Sequence, residues 1–172
     1  MARPECKARK KINISIQPNI GLETGVRMAV IGMLNLLLAD EAVLSFKLAH
    51  AEIHPDDAVA MGHHVLYVDQ QQQIETISNQ IVERIQILGG VHADNPEKLI
   101  GSGRLDGIPN GLYDIIHILA DHEAFIRFLR DDVQKCFELY DDLGTQAMLI
   151  SILRDHEKMA WRLRSQIKID AD

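Results

Sequence analysis

Cysteine is nearly missing from this chain: two residues, Cys6 and Cys136, among 172. With no CxxC and no paired spacing, no disulfide framework is indicated, and such sparse usage fits a reducing compartment. A secretory leader is missing too, since Met1-Ala2-Arg3-Pro4-Glu5-Cys6 opens without an apolar stretch. The most apolar segment, Met28–Leu38, is too short to span a bilayer and is interrupted by Gly32 and Asn35. These absences point to a cytoplasmic protein that does not enter a membrane. Positive charge is in deficit: 18 Lys and Arg face 25 Asp and Glu, a net charge of −7, which argues against a uniformly basic nucleic-acid-binding surface. Strand-like alternation, internal repeats and low-complexity tracts beyond Gln70–Gln73 are also lacking.

What is present is ordinary globular composition, 47% hydrophobic and 25% charged, in a length suited to one domain. Such a chain builds its core without metal or disulfide staples. The basic residues are unevenly placed. Arg3, Lys7, Arg9, Lys10 and Lys11 crowd the first eleven positions against the single acid Glu5. Residues 1–19 show no helical period and read as a flexible basic arm ahead of a body spanning 20–172. An acidic body with a basic arm can touch phosphates without a basic fold.

Apolar periodicity predicts four long helices. Thr24 caps the first, which runs to about Glu52 with Val26, Val30, Leu34, Leu37, Val43 and Leu48 recurring every three to four residues or near multiples of that spacing. Ile53-His54-Pro55-Asp56-Asp57 breaks it and starts the second, which Gly89-Gly90 stops. Residues 91–110 are loop-like, with a short helical turn at Pro96–Leu99. Asn110 caps the third helix, to about Tyr140, whose stripe is Leu112, Ile115, Ile116, Leu119, Ile126, Leu129, Val133 and Phe137. After Asp141-Asp142-Leu143-Gly144, Thr145 caps the fourth, to about Lys168, burying Leu149, Ile152, Leu153, Met159, Ala160, Leu163 and Ile167. Four long helices with one long connection in the middle predict an all-α, ferritin-like four-helix bundle whose crossover carries a short helix.

The second helix carries a stripe of chemistry. His64, Val68, Gln72, Glu75, Asn79 and Glu83 lie three or four residues apart and share a face. By itself a polar stripe is most simply a solvated face. His64 and Glu83 are separated by roughly 28 Å of helix, so they cannot hold one ion within one chain. Two copies packed antiparallel about an axis near residues 73–74 would set His64 against the partner's Glu83. Glu52, at the end of the first helix, would join that cluster. A histidine and carboxylates suit iron or zinc, and carboxylates suit iron redox work in particular.

These residues resemble the Dps family, the DNA-protection-during-starvation branch of the ferritin-like superfamily. The resemblance covers most of residues 25–168. It rests on Leu34–Glu41 in the first helix, Val82–Gly90 closing the second, Asp121-His122-Glu123-Ala124 in the third and His156–Arg164 in the fourth. It implies a dodecameric shell built from two-fold dimers that oxidises ferrous iron, preferably with peroxide. The mineral is stored inside, and some members bind DNA through tails. The family's inter-subunit ferroxidase ligands fall on His64 and Glu83, both retained, and on Glu52, Asn79 and Val68. There the family carries a histidine, an aspartate and an acid. Glu52 can still ligate iron, Asn79 removes a negative charge, and Val68 removes a ligand. His54 and His63 are candidates to compensate.

Asp132, with Asp141 and Asp142, falls where such shells line three-fold iron-entry pores, and a carboxylate ring there would draw cations inward. His122 and His156 read as buried, hydrogen-bonded core residues, and Trp161 as core or interface packing. The expectation is therefore an iron-oxidising storage protein that shields DNA and associates with the nucleoid. Two rivals stay open. One is a shell-forming paralogue with a degenerate site that coats DNA; the other is a buffer holding zinc or another divalent ion without turnover.

Overall fold

The computed structural model describes residues 17–53, 60–93, 96–107 and 113–167. Its elements are α1 (Thr24–Ile53), α2 (Ala60–Ile87), α3 (Pro96–Ser102), α4 (Ile115–Glu138) and α5 (Leu143–Arg164). No strand occurs among the described residues. Helix α1 is apolar almost all round, as a central bundle helix must be. Val30, Leu34, Leu37, Leu44 and Leu48 are fully buried, each contributing about 2 kcal/mol by transfer from water. The span Thr24–Ala51 is long and apolar enough to cross a membrane by length and composition, with a mean hydropathy of 1.7. That apolar surface is consumed in the bundle, and the helix also buries Arg27, Asp40, Glu41 and Lys47.

Helix α1 packs on α2, and α4 on α5, the two pairs joining through α1–α4 and α2–α5. Side-chain contacts fix the directions. Arg27 donates to the Leu88 carbonyl at one end and Gln71 to that of Ser45 further along, so α1 and α2 run antiparallel. Arg84 meets Thr145, and Gln70 meets Met159, so α2 and α5 are antiparallel as well. Pairs 123/164 and 130/157 set α4 antiparallel to α5. Helices α2 and α4 therefore point the same way, and the segment between them must travel the length of the bundle. This up-down-down-up order with one long crossover carrying α3 is the ferritin-like arrangement expected from the spacing.

Gly89 ends α2 at φ +83°, with its N–H donating to Gln86 and that of Gly90 to Ile85, a Schellman turn. A Cβ on Gly90 would stand 2.7 Å from Ile31, so α1 approaches the turn as closely as glycine allows. The crossover is pinned by Arg104. Its backbone N–H and Nε donate to Asp40 on α1, while Nη1 donates to Asp132 on α4 at 2.7 Å.

Three details differ from the sequence expectations. Helix α4 starts at Ile115, capped by Asp114, whose Oδ1 accepts the N–H groups of Ile116 and His117. Asn110 lies outside the described residues. Helix α5 is capped by Asp142, and Thr145 sits buried one turn inside, bonded to that cap. The buried face of α4 is Ile118, His122, Phe125, Leu129, Asp132 and Cys136, while Phe137 is 63% exposed. The polar members of that face disguised it.

Candidate metal centre

Helix α2 separates two faces cleanly. Leu66, Ile74, Ile77, Ile81, Ile85 and Leu88 beyond its end turn into the core, and His64, Gln72, Glu75, Asn79 and Glu83 are exposed on the other side. Val68 is half-buried between them. Ala42 and Ser45 of α1, with Val68, Gln72 and Glu75 of α2, line an open groove along this stripe. Phe46 (46%) and Val65 (66%) are exposed large apolar side chains, one helical position from Ser45 and from His64. A polar stripe beside uncovered apolar side chains is what one half of an interface presents.

Each expected ligand has a definite place. Glu52 belongs to the last turn of α1. His54 lies outside the described residues, as do Arg3, Lys7, Arg9, Lys10 and Lys11 of the basic arm. His63 is half-buried, its ring tilted beside Tyr67 with centroids 6.1 Å apart. His64 and Glu83 stand at opposite ends of the stripe, and Asn79 one turn before Glu83. Among the described residues of one subunit, no three His, Cys, Asp or Glu side chains converge as a metal site would require.

Asp132 departs from the pore expectation. It is 1% exposed, with one oxygen taken by Arg104 and the other by Lys135 at 2.9 Å. Its carboxylate is an ion-pair partner inside the subunit. Asp142 is likewise inward, 3% exposed and bonded to Thr145 and Arg84, whereas Asp141 is exposed at φ 47°. Trp161 is 62% exposed, so it is not core of the subunit.

A second constellation lies in the core. Oε1 of Glu41 on α1 is 3.0 Å from Nε2 of His156 on α5, and Nδ1 of His156 is 3.1 Å from Nδ1 of His122 on α4. All three side chains are wholly buried. Burial, with Asp40 alongside, raises the Glu41 carboxyl well above its ordinary value. Burial lowers His122 well below its own, helped by His156, and takes His156 to about 3 against a small pull from Asp155. The two histidines match their expected role as buried hydrogen-bonded residues. Their partner Glu41 was missed, although two adjacent acids, Asp40-Glu41, inside so apolar a helix were a signal.

An up-down-down-up bundle with its metal-competent stripe on an outer face defines a ferritin-like subunit. The comparisons agree. The family profile described as a ferritin-like domain matches residues 31–171. An uncharacterized low temperature-induced protein of Nostoc sp. is 30% identical over 154 residues, covering 87% of this chain and 86% of that one. The DNA protection during starvation protein of Halobacterium salinarum is 28% identical over 114 residues, 66% of this chain and 63% of that one. Among solved structures, DpsC from Streptomyces coelicolor superposes with a TM-score of 0.83 at 23% identity, covering 92% of this chain and 95% of that one. The chain belongs to the ferritin-like family, and the relatives and solved structures it resembles include Dps proteins.

Proposed function

We propose that this chain assembles through two-fold dimers into a closed dodecameric shell in the cytoplasm. There it oxidises ferrous iron at sites completed between subunits and stores the ferric product. One observation carries the reading: His64, Asn79 and Glu83 lie exposed along one face of α2, beside a groove open to a second helix. Each site would take Glu52 and His64 from one copy, with Asn79 and Glu83 from the other; His54 and His63 stand next to it in sequence. Two ferrous ions give up two electrons to one peroxide, yielding two hydroxides, and the carboxylates stabilise the ferric charge that develops. Consuming both reactants spares nearby DNA from radicals.

The test is anaerobic ferrous loading of the full-length protein followed by peroxide. Ferric absorbance should develop in the native protein and fall at least about tenfold in Glu83→Gln, as loss of a metal ligand or its support commonly does. No ferric signal above a metal-free control overturns the redox reading. Val68 and Asn79 favour a second reading, in which a site short of two acids holds zinc or another divalent ion without turnover, or the shell only coats DNA. Elemental analysis of the purified shell with zinc and iron in competition separates these outcomes.

A further inference from the structure

The Glu41–His156–His122 chain is spent neither on the α2 stripe nor on the crossover. Three helices each contribute one buried titratable residue to it: α1, α5 and α4. Phe125 packs on the His156 ring at 4.3 Å between centroids and helps seal the chain from water. The charged groups around it are Asp40 beside Glu41, Asp155 beside His156, and Asp121 beside His122, the last neutralised by Lys47 at 2.8 Å. From α2 the buried residue Gln70 bonds the Met159 carbonyl. Two atoms at the ends of the chain, Oε2 of Glu41 and Nε2 of His122, have no partner.

We infer that this chain is a proton-operated clamp on the bundle, closed in one protonation state and opened when protons are added or withdrawn. The inference stands apart from the metal site and does not rest on it. The geometry restricts the proton count. An Nδ1···Nδ1 contact at 3.1 Å needs one proton between the rings. With none, two lone pairs face each other; with two, donor faces donor. In the closed state Glu41 keeps its proton and donates it to Nε2 of His156. His156 then donates Nδ1–H to Nδ1 of His122. All three groups are neutral, as full burial demands.

The signs follow by comparison with the open chain, where histidine titrates at the ordinary 6.5 and glutamate at 4.5. Below pH 6.5, opening lets both histidines bind a proton from solvent. Above pH 4.5 it lets Glu41 release one. Between these values opening takes up one net proton. Below 4.5 it takes up two, and above 6.5 it releases one. The clamp is therefore tightest near pH 6.5 and loosens on both sides, changing the opening constant by about tenfold per pH unit for each net proton.

His122→Asn keeps a polar atom near the Nδ1 position but does not titrate, and Glu41→Gln keeps a donor to His156. Urea unfolding of the full-length protein across pH is the measurement. The His122→Asn constant relative to native should change about tenfold per pH unit below 6.5 and stay level above it. The Glu41→Gln ratio should change in the opposite sense above 4.5. Parallel pH curves for native and variants overturn the clamp. If either variant fails to fold, deuterium exchange at the imidazole C2 position of the unsubstituted protein decides. Free histidine in the same buffer provides the exchange reference. Midpoints near 6.5 for His122 and His156 in the folded protein would sink the inference; neutral rings persisting below that pH support it.

Discussion

Arg104 carries an unusual share of the subunit's charge pairing for one side chain. Its guanidinium spans Asp40, wholly buried, and Asp132, 1% exposed, while stacking over Phe128 at 4.8 Å. Burial alone would lower its pKa, but the hydrogen bond and charge of Asp132, then Asp40, outweigh this and raise it. Replacing Arg104 with Met keeps the apolar stem and leaves the buried Asp40 without its cationic partner, while Asp132 keeps only Lys135. We expect a loss of about 3–5 kcal/mol, the usual cost of leaving buried charge unpaired, read from urea midpoints. At the outer face the same scale gives a contrasting outcome. Asn79 is exposed, so Asn79→Asp should leave stability within about 0.5 kcal/mol. It should speed ferric formation, because it returns a negative charge to a cation site; a slower or unchanged rate contradicts the assignment of Asn79 to that site. Sequence reasoning found Asp132 but not its surroundings, since an acid meant for a pore and one meant for a buried guanidinium look alike along the chain.

Helix ends show why local signals need tertiary arbitration. Both Thr145 and Asp142 are good capping residues by type. Asp142 holds the place because Arg84 from α2 reaches it at 2.8 Å and also donates Nε–H to Thr145 Oγ1. Burial would raise the Asp142 carboxyl. The Thr145 hydroxyl and N–H, followed by Arg84, overcome this and hold it below its ordinary 3.8. A carboxylate depressed by folding stabilises above its unfolded value and loses that contribution as pH falls through the folded one. Asp142→Asn should accordingly cost about 1–2 kcal/mol at neutral pH, with the gap to native narrowing below pH 3.8, as followed by thermal unfolding. A gap that does not change with pH would remove the ionised cap from the account. The end of α2 needed no such arbitration, because Gly89-Gly90 after a periodic run admits few other readings.

At the scale of the whole molecule, the balance of charge separates body from arm. A net −7 protein touching DNA must do so through a local basic segment, and Arg3, Lys7, Arg9, Lys10 and Lys11 are the concentrated one. Deleting residues 2–11 should abolish a gel shift at low salt while leaving ferric formation and particle size unchanged. An undiminished shift would place DNA contact elsewhere. In the native protein the shift should fade as salt rises, since phosphate contacts release counterions.

By itself the sequence determined the helices, their order and the single long crossover. Those follow from the period of apolar residues and from glycine and proline punctuation, which act over a few neighbouring positions. It also determined which residues share the outer face of α2, because helical spacing alone settles that. Only the tertiary structure decided that Glu41, His156 and His122 form one chain, that Asp132 belongs to Arg104, and that Asp142 outranks Thr145 as a cap. Each of these pairs groups from different helices, so their chemistry depends on distances that no local pattern encodes.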